Sequence, residues 1–226
     1  MSSDKTSARI VGALFLTAIF TYGLGNGFIE SILDAQDYLA NVHENKMQLI
    51  LGAILMLINS AVVVGIGVMM FPILKQHNEP IALGYVGTRI IEAIILIVGV
   101  ISLLSLLTLS EEYIKSGTPD VSYFQTLSTL AVKGNYFAYQ IAMIVLGVGS
   151  LTFCYILYQS KLIPRFISAW GFIGYAALLA GALFEIYGFK VGLILSIPGG
   201  LFEIILPVWL FIKGFNPIAI ASESAI

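Results

Sequence analysis

The chain has 226 residues, of which 58% are hydrophobic and 11% charged, and its formal net charge is −2. Soluble domains carry roughly 25% charged residues, so this composition excludes an ordinary soluble protein. The small negative charge provides no basic surface and excludes nucleic acid as a partner. With one cysteine, Cys154, and two separated histidines, His43 and His77, we expect no intrachain disulfide, no metal site and no cofactor.

Six segments reach the roughly 20 mostly apolar residues that a membrane-spanning helix needs. Their apolar runs are continuous rather than alternating, which excludes the strands of a transmembrane barrel. We therefore predict an all-α fold, a polytopic membrane protein with a bundle of six transmembrane helices in a single domain over residues 1–226. The predicted spans are 10–28, 47–71, 81–109, 135–158, 166–187 and 191–212.

Lys and Arg residues near the span ends predict the orientation of the bundle, because they are enriched in cytoplasmic loops. This bias predicts that both termini are cytoplasmic in a multi-pass protein of the cell inner (plasma) membrane. Six cations fall on the side of the N-terminus and four on the other: Lys5, Arg9, Lys75, Lys161, Arg165 and Lys213 against Lys46, Lys115, Lys133 and Lys190.

The two longer loops both fall on the predicted outer side. In the first, Leu39 and Val42 have helical spacing, which predicts a short helix. In the second, Thr118-Pro119-Asp120 is typical of a helix start, with proline at the first helical position. We expect this second segment to be either another short helix or an extension of the fourth span.

Four charged residues lie inside the apolar runs: Arg89, Glu92, Glu185 and Glu203. A charge at the centre of a membrane helix costs roughly 2.5 to 3.5 kcal/mol, so each is a candidate functional group. We expect Arg89 and Glu92 to form one unit. Glu203 is then expected to hold a proton, because burial disfavours an unpaired carboxylate. The alternatives are static interhelical contacts for these groups and a solvated helix end for Glu185.

Further polar residues follow the helical period of their spans and are expected to face the bundle interior. Tyr85 shares a face with Glu92, Gln140 lies in the fourth span and Asn59 in the second. We include these three as candidate binding or proton-relay residues. In the sixth span, Pro198-Gly199-Gly200 predicts either a helix break, as at transporter binding sites, or an ordinary proline kink.

The chain resembles a prokaryotic family of integral membrane proteins, domain of unknown function 4386. The resemblance extends from Arg9-Ile10-Val11-Gly12 to Lys213-Gly214-Phe215. It implies six helices in one domain and no particular activity. Its more specific motifs are Arg89-Ile90-Ile91-Glu92-Ala93, Ile163-Pro164-Arg165 and the end of the chain's sixth span, from Glu203 through Trp209-Leu210 to Lys213-Gly214-Phe215.

Three functions are compatible with these residues. The first is a small transporter-like or ligand-binding protein, with a central polar pocket built from Arg89, Glu92 and Glu203. Its ligand would be a small anionic or lipophilic molecule, its other partners membrane lipids, and a homodimer is expected. The second is a metal-independent intramembrane enzyme that acts on a lipid or isoprenoid through a protonated glutamate. The third is a non-catalytic membrane sensor or partner-binding protein. Because two of the three functions are not catalytic, we favour a protein that is not an enzyme.

Overall fold

The structure is a computed structural model that describes residues 2–116 and 121–216. These residues form helices and no strands. The helices are α1 (Ser2–Leu33), α2 (Tyr38–Glu44), α3 (Lys46–Leu74), α4 (Glu79–Lys115), α5 (Val121–Ser160), α6 (Arg165–Ile186) and α7 (Gly192–Ile212).

Six helices of the described chain are long and apolar enough to cross a membrane, namely all except α2. The predicted all-α fold with six spans is confirmed, and the chain is a multi-pass membrane protein. Many large apolar side chains lie on the outside of the helices; Phe20 is 67% exposed and Leu193 82% exposed. Exposed apolar side chains of this size are expected where lipid surrounds the protein. Helices suit the same environment because they satisfy their own backbone hydrogen bonds.

The first four spanning helices, α1, α3, α4 and α5, extend beyond the predicted spans because hydropathy detects only their apolar parts, whereas α6 and α7 agree with prediction to within one residue at each end. The short helix predicted around Leu39 and Val42 is confirmed as α2, and both side chains are buried. Asp37 caps this helix by accepting a hydrogen bond from the backbone N–H of Ala40 at 3.2 Å. The second outer segment is an extension of the fourth span, because α5 is continuous from Val121. Thr118-Pro119-Asp120 itself lies outside the described residues.

The internal contacts of the chain divide it into two compact units. The first unit comprises the described residues of Met1–Thr17, Ala61–Ala93 and Gln140–Ile226, and the second comprises Ala18–Ser60 and Ile94–Tyr139. Four helices, α1, α3, α4 and α5, contribute a segment to each unit. That the whole chain is one domain therefore stays a prediction.

The second unit is held together by an apolar cluster. Close glycine contacts allow its helices to approach one another, since a Cβ on Gly25 would lie 2.9 Å from the carbonyl oxygen of Gly52. Polar contacts fix the α2 region, where Asn41 donates to the carbonyl of Ile32 at 2.9 Å. The buried members of the cluster are Ile29, Ile32, Leu39, Val42, Leu49, Ala53, Met56, Val100, Leu103, Leu106 and Ala131.

In the first unit, α6 and α7 pack closely along a row of glycines. A Cβ on Gly171 would lie 2.5 Å from Cε2 of Phe202, and one on Gly174 would lie 2.8 Å from the backbone nitrogen of Gly199. Small residues allow membrane helices to approach at their backbones. This contact determines which side chains of α6 face α7.

Candidate functional site

Arg89 and Glu92 form a buried ion pair on α4. Nη1 of Arg89 lies 2.8 Å from Oε2 of Glu92, and the two residues are 3% and 2% exposed. They are three positions apart, so the helical turn itself brings both side chains to one face. A buried charge needs a partner to offset its desolvation, and each of these residues provides the other's partner.

Tyr85 completes the surroundings of Arg89 one turn earlier on the same helix. Nε of Arg89 donates a hydrogen bond to the Tyr85 hydroxyl at 3.2 Å. The guanidinium carbon lies 5.5 Å from the centre of the Tyr85 ring, and that ring stacks on Phe153 of α5 at 4.8 Å. The arginine therefore has a fixed position, with a carboxylate, a hydroxyl and an aromatic ring around it.

Glu203 of α7 has a different partner. The hydroxyl of Tyr175 on α6 donates to its Oε1 at 2.9 Å. Tyr175 is completely buried, whereas Glu203 is partly exposed. Glu203 also lies close enough to Arg89 and Glu92 to interact electrostatically with both.

The site thus brings together four of the residues chosen from the sequence and one that was not chosen. Arg89, Glu92, Tyr85 and Glu203 lie in one cluster of the first unit. Tyr175 was missed as a candidate because its contact crosses from α6 to α7. The sequence did contain one indication, since the phenol of Tyr175 lies at helical spacing between the small residues of an apolar span. Within the described residues, no three His, Cys, Asp or Glu side chains form a group that could hold a metal ion.

Glu185 lies elsewhere in the first unit, at the end of α6. Its Oε1 accepts a hydrogen bond from the backbone N–H of Gly192, the first residue of α7, at 2.8 Å. A carboxylate at a helix N-terminus satisfies a free N–H and interacts favourably with the helix dipole. The contact gives Glu185 a capping role in the turn between the last two helices.

The Pro198-Gly199-Gly200 segment lies within a continuous helix. α7 runs from Gly192 to Ile212 with Pro198 and Pro207 inside it, so of the two alternatives, a helix break and a proline kink, the break is not observed. Gly199 packs against Gly174, and the Trp170 indole donates to the Pro198 carbonyl at 3.1 Å. A role of this segment in a binding site stays a prediction.

Two further candidates occupy separate environments. Gln140 is buried in the first unit, on α5. Asn59 is buried in the second unit, where it lines a cavity of about 10 Å³ beside the stacked rings of Tyr22 and Tyr139. A cavity of that volume is large enough for a single water molecule.

Comparison with known proteins identifies the family. No curated protein and no solved structure matches the chain. A family model described as "Domain of unknown function (DUF4386)" matches residues 10–214. The match includes the first spanning helix from residue 10 onward and the whole of the other five, and it confirms the resemblance seen in the sequence. The chain therefore belongs to the DUF4386 family of membrane proteins.

Proposed function

We propose that this protein is a small transporter-like or ligand-binding membrane protein in which Glu203 takes up and releases a proton. The observation that carries the proposal is the unequal partnership of the two carboxylates. Arg89 donates directly to Glu92, with both residues almost fully buried. Among the described residues, Glu203 accepts a hydrogen bond from a neutral phenol alone, that of Tyr175, and it remains partly exposed.

Protonation of Glu203 changes the charge of the cluster. Arg89, Glu92 and an ionised Glu203 together carry a net negative charge, which repels an anion. A protonated Glu203 leaves the cluster neutral and removes that repulsion. We therefore propose that a small anionic or lipophilic ligand binds beside the protonated form, which couples ligand binding to proton uptake.

An infrared pH titration of the purified protein tests the protonation step. We expect a protonated-carboxyl C=O band that changes with pH, disappears in Glu203→Gln and persists in Glu185→Gln. Glu185→Gln is the matched control, because Glu185 is also partly exposed but caps α7. Identical spectra in the two variants would refute a protonatable Glu203.

Transport is tested in proteoliposomes that contain a pH-sensitive dye. Succinate and inorganic phosphate serve as the anion probes, each added as an inward gradient. We expect at least one of them to move protons with the wild type and not with Glu203→Gln. If neither probe moves protons in the wild type while the Glu203 band still titrates, we would conclude that the protein binds a ligand and does not transport it.

A second candidate function is a non-catalytic sensor or partner-binding protein. Its supporting observation is that the intramembrane charges already have partners within the first unit. Arg89 pairs with Glu92, Tyr175 donates to Glu203, and Glu185 accepts from Gly192. This alternative predicts that the infrared spectrum of Glu203 does not change with pH.

We further propose that the protein lies in the cell inner membrane with both termini in the cytoplasm. The support is the six-to-four distribution of Lys and Arg between the two sides of the bundle. A C-terminal fluorescent-protein fusion, which matures only in the cytoplasm, should be bright. A C-terminal alkaline-phosphatase fusion, which is active only outside, should be inactive.

A further inference from the structure

A cavity of about 500 Å³ lies in the first unit, where three spanning helices end. It is formed by the end of α5, the start of α6 and the end of α7. Two of the motifs noted in the sequence meet here, Ile163-Pro164-Arg165 and Lys213-Gly214-Phe215. The described residues that line it are Lys161, Leu162, Ile163, Pro164, Arg165, Trp209, Lys213, Gly214, Phe215 and Asn216.

Hydrogen bonds hold the two sides of this cavity together. The backbone N–H of Asn216 donates to the carbonyl of Leu162 at 2.9 Å, and its side-chain amide donates to the carbonyl of Lys161 at 3.3 Å. Lys161 adopts a left-handed backbone conformation with φ of 56°, which non-glycine residues rarely adopt. The two hydrogen bonds therefore hold the loop after α5 against the segment after α7 in a defined conformation.

The charge of the lining has one sign. Among the described residues, it contains three cationic residues, Lys161, Arg165 and Lys213, and no Asp or Glu. All three are exposed. Arg165 packs over the Tyr158 ring at 5.0 Å and donates to the Tyr158 carbonyl. Within the described part of the chain, neither Lys161 nor Lys213 forms an ion pair, so their charges remain available to a ligand.

The helix dipoles stabilise two of these cations and oppose the third. Lys161 and Lys213 follow the C-termini of α5 and α7, where a cation interacts favourably with the helix dipole. Arg165 is the first residue of α6, where the dipole opposes a cation, and α6 begins without a side-chain cap. An anion at this end would interact with both the Arg165 guanidinium and the helix N-terminus.

We propose that this cavity binds the phosphate of an anionic phospholipid headgroup. The three cations and the start of α6 provide the phosphate contacts. The location at the ends of spanning helices corresponds to headgroup depth, and buried Ile163 and Phe215 with the partly exposed Trp209 give the cavity apolar walls. The volume falls in the range of sites for small organic ligands, about 300 to 1,000 Å³, and exceeds the need of a free phosphate ion.

The experiment measures lipid binding by native mass spectrometry of the full-length protein released from detergent. The probes are phosphatidylglycerol, phosphatidylcholine and inorganic phosphate, each added at defined concentration. The test variant is the double substitution Lys161→Gln/Lys213→Gln. The control is Arg9→Gln/Lys75→Gln, which removes the same charge from exposed residues on the same predicted side that do not line the cavity.

We expect phosphatidylglycerol to bind the wild type more tightly than phosphatidylcholine. The test variant should bind it roughly 25-fold more weakly, about fivefold for each cation near a phosphate, and the control should bind as the wild type does. Equal losses in the two double variants, or equal binding of the two lipids, would overturn the proposal. Competition by millimolar inorganic phosphate would assign the site to the free anion and overturn the lipid.

The variants can be checked for folding independently of binding. Neither Lys161 nor Lys213 makes a side-chain hydrogen bond within the described residues, so both double variants should keep the wild-type helix content and elution volume. A third variant, Lys161→Arg/Lys213→Arg, keeps the charge and should restore phosphatidylglycerol binding. Failure of this variant to bind, with its fold intact, would also count against a headgroup site. The outcome does not depend on Glu203, which lies outside this cavity's lining.

Discussion

Tyr175 and Glu203 are joined by a 2.9 Å hydrogen bond between α6 and α7, and this contact is the point at which the polar cluster crosses from one helix to another. The crossing is possible because glycines on α6 allow α7 to approach closely. Tyr175 also packs edge-on against Phe202, the residue next to Glu203, at 5.6 Å between ring centres. The position of Glu203 therefore depends on the packing of two apolar helices.

Replacing Tyr175 with Phe should weaken this connection without removing the ring. We expect the free energy of unfolding in mixed detergent micelles to fall by about 1 kcal/mol, the usual value of one hydrogen bond. The C=O band of a protonated Glu203 should also move to higher frequency. Tyr85→Phe is the control, since its hydroxyl accepts from Arg89 instead. An unshifted Glu203 band in Tyr175→Phe would contradict the hydrogen bond.

The Arg89–Glu92 pair should show strong non-additivity. Removing one partner, as in Glu92→Leu, leaves a buried unpaired charge, and we expect a loss of about 3 to 5 kcal/mol in the free energy of unfolding. The double variant Arg89→Met/Glu92→Leu replaces both charges with apolar groups and should recover most of that loss. A double-mutant cycle from SDS-induced unfolding measures the coupling. Additive losses would show that the two side chains do not stabilise each other.

The glycines of α6 and α7 should differ in their tolerance of alanine. A Cβ at position 171 would meet Phe202 at 2.5 Å, so Gly171→Ala should lower the free energy of unfolding by about 1 to 3 kcal/mol. Gly200→Ala is the matched control on α7, because nothing lies within 4 Å of its added Cβ. Its stability should equal or slightly exceed that of the wild type, since alanine favours helix. Thermal unfolding of both variants in one detergent makes the comparison.

Glu185 should contribute to stability through its contact with α7. Glu185→Ala removes the acceptor for the Gly192 N–H and should lower the free energy of unfolding by about 1 kcal/mol. Glu112→Ala is a suitable control, because its ion pair with Lys115 is highly exposed, with side chains 59% and 66% exposed, and exposed pairs contribute little. Equal losses of stability in Glu185→Ala and Glu112→Ala would contradict a capping role for Glu185.

The spans were predictable from the sequence, whereas the helix ends were less so. Continuous apolar runs identified all six spanning helices, because each must be apolar over the thickness of the bilayer. The helix bounds differ most at α5, predicted from residue 135 and observed from Val121. The helix continues through polar residues such as Lys133, which a hydropathy criterion places outside the lipid.

The candidate site was predictable where it depends on one helix. The spacing of Arg89 and Glu92 is sufficient to place them together, and the structure pairs them. The partner of Glu203 was not predictable, because the contact with Tyr175 requires the relative rotation of two helices. Asn59 was grouped with these residues by polarity alone, and the structure places it among the residues of the second unit.

Because Arg89 and Glu92 belong to the same helical turn, their charges can neutralise each other as soon as α4 has formed. The segment can therefore leave the ribosome and enter the bilayer with its ion pair already made, before α6 and α7 have been synthesised. Glu203 arrives later on the last span, when Tyr175 on α6 is already available as its donor. The order of the chain thus provides both Glu92 and Glu203 with a partner no later than the moment at which each inserts.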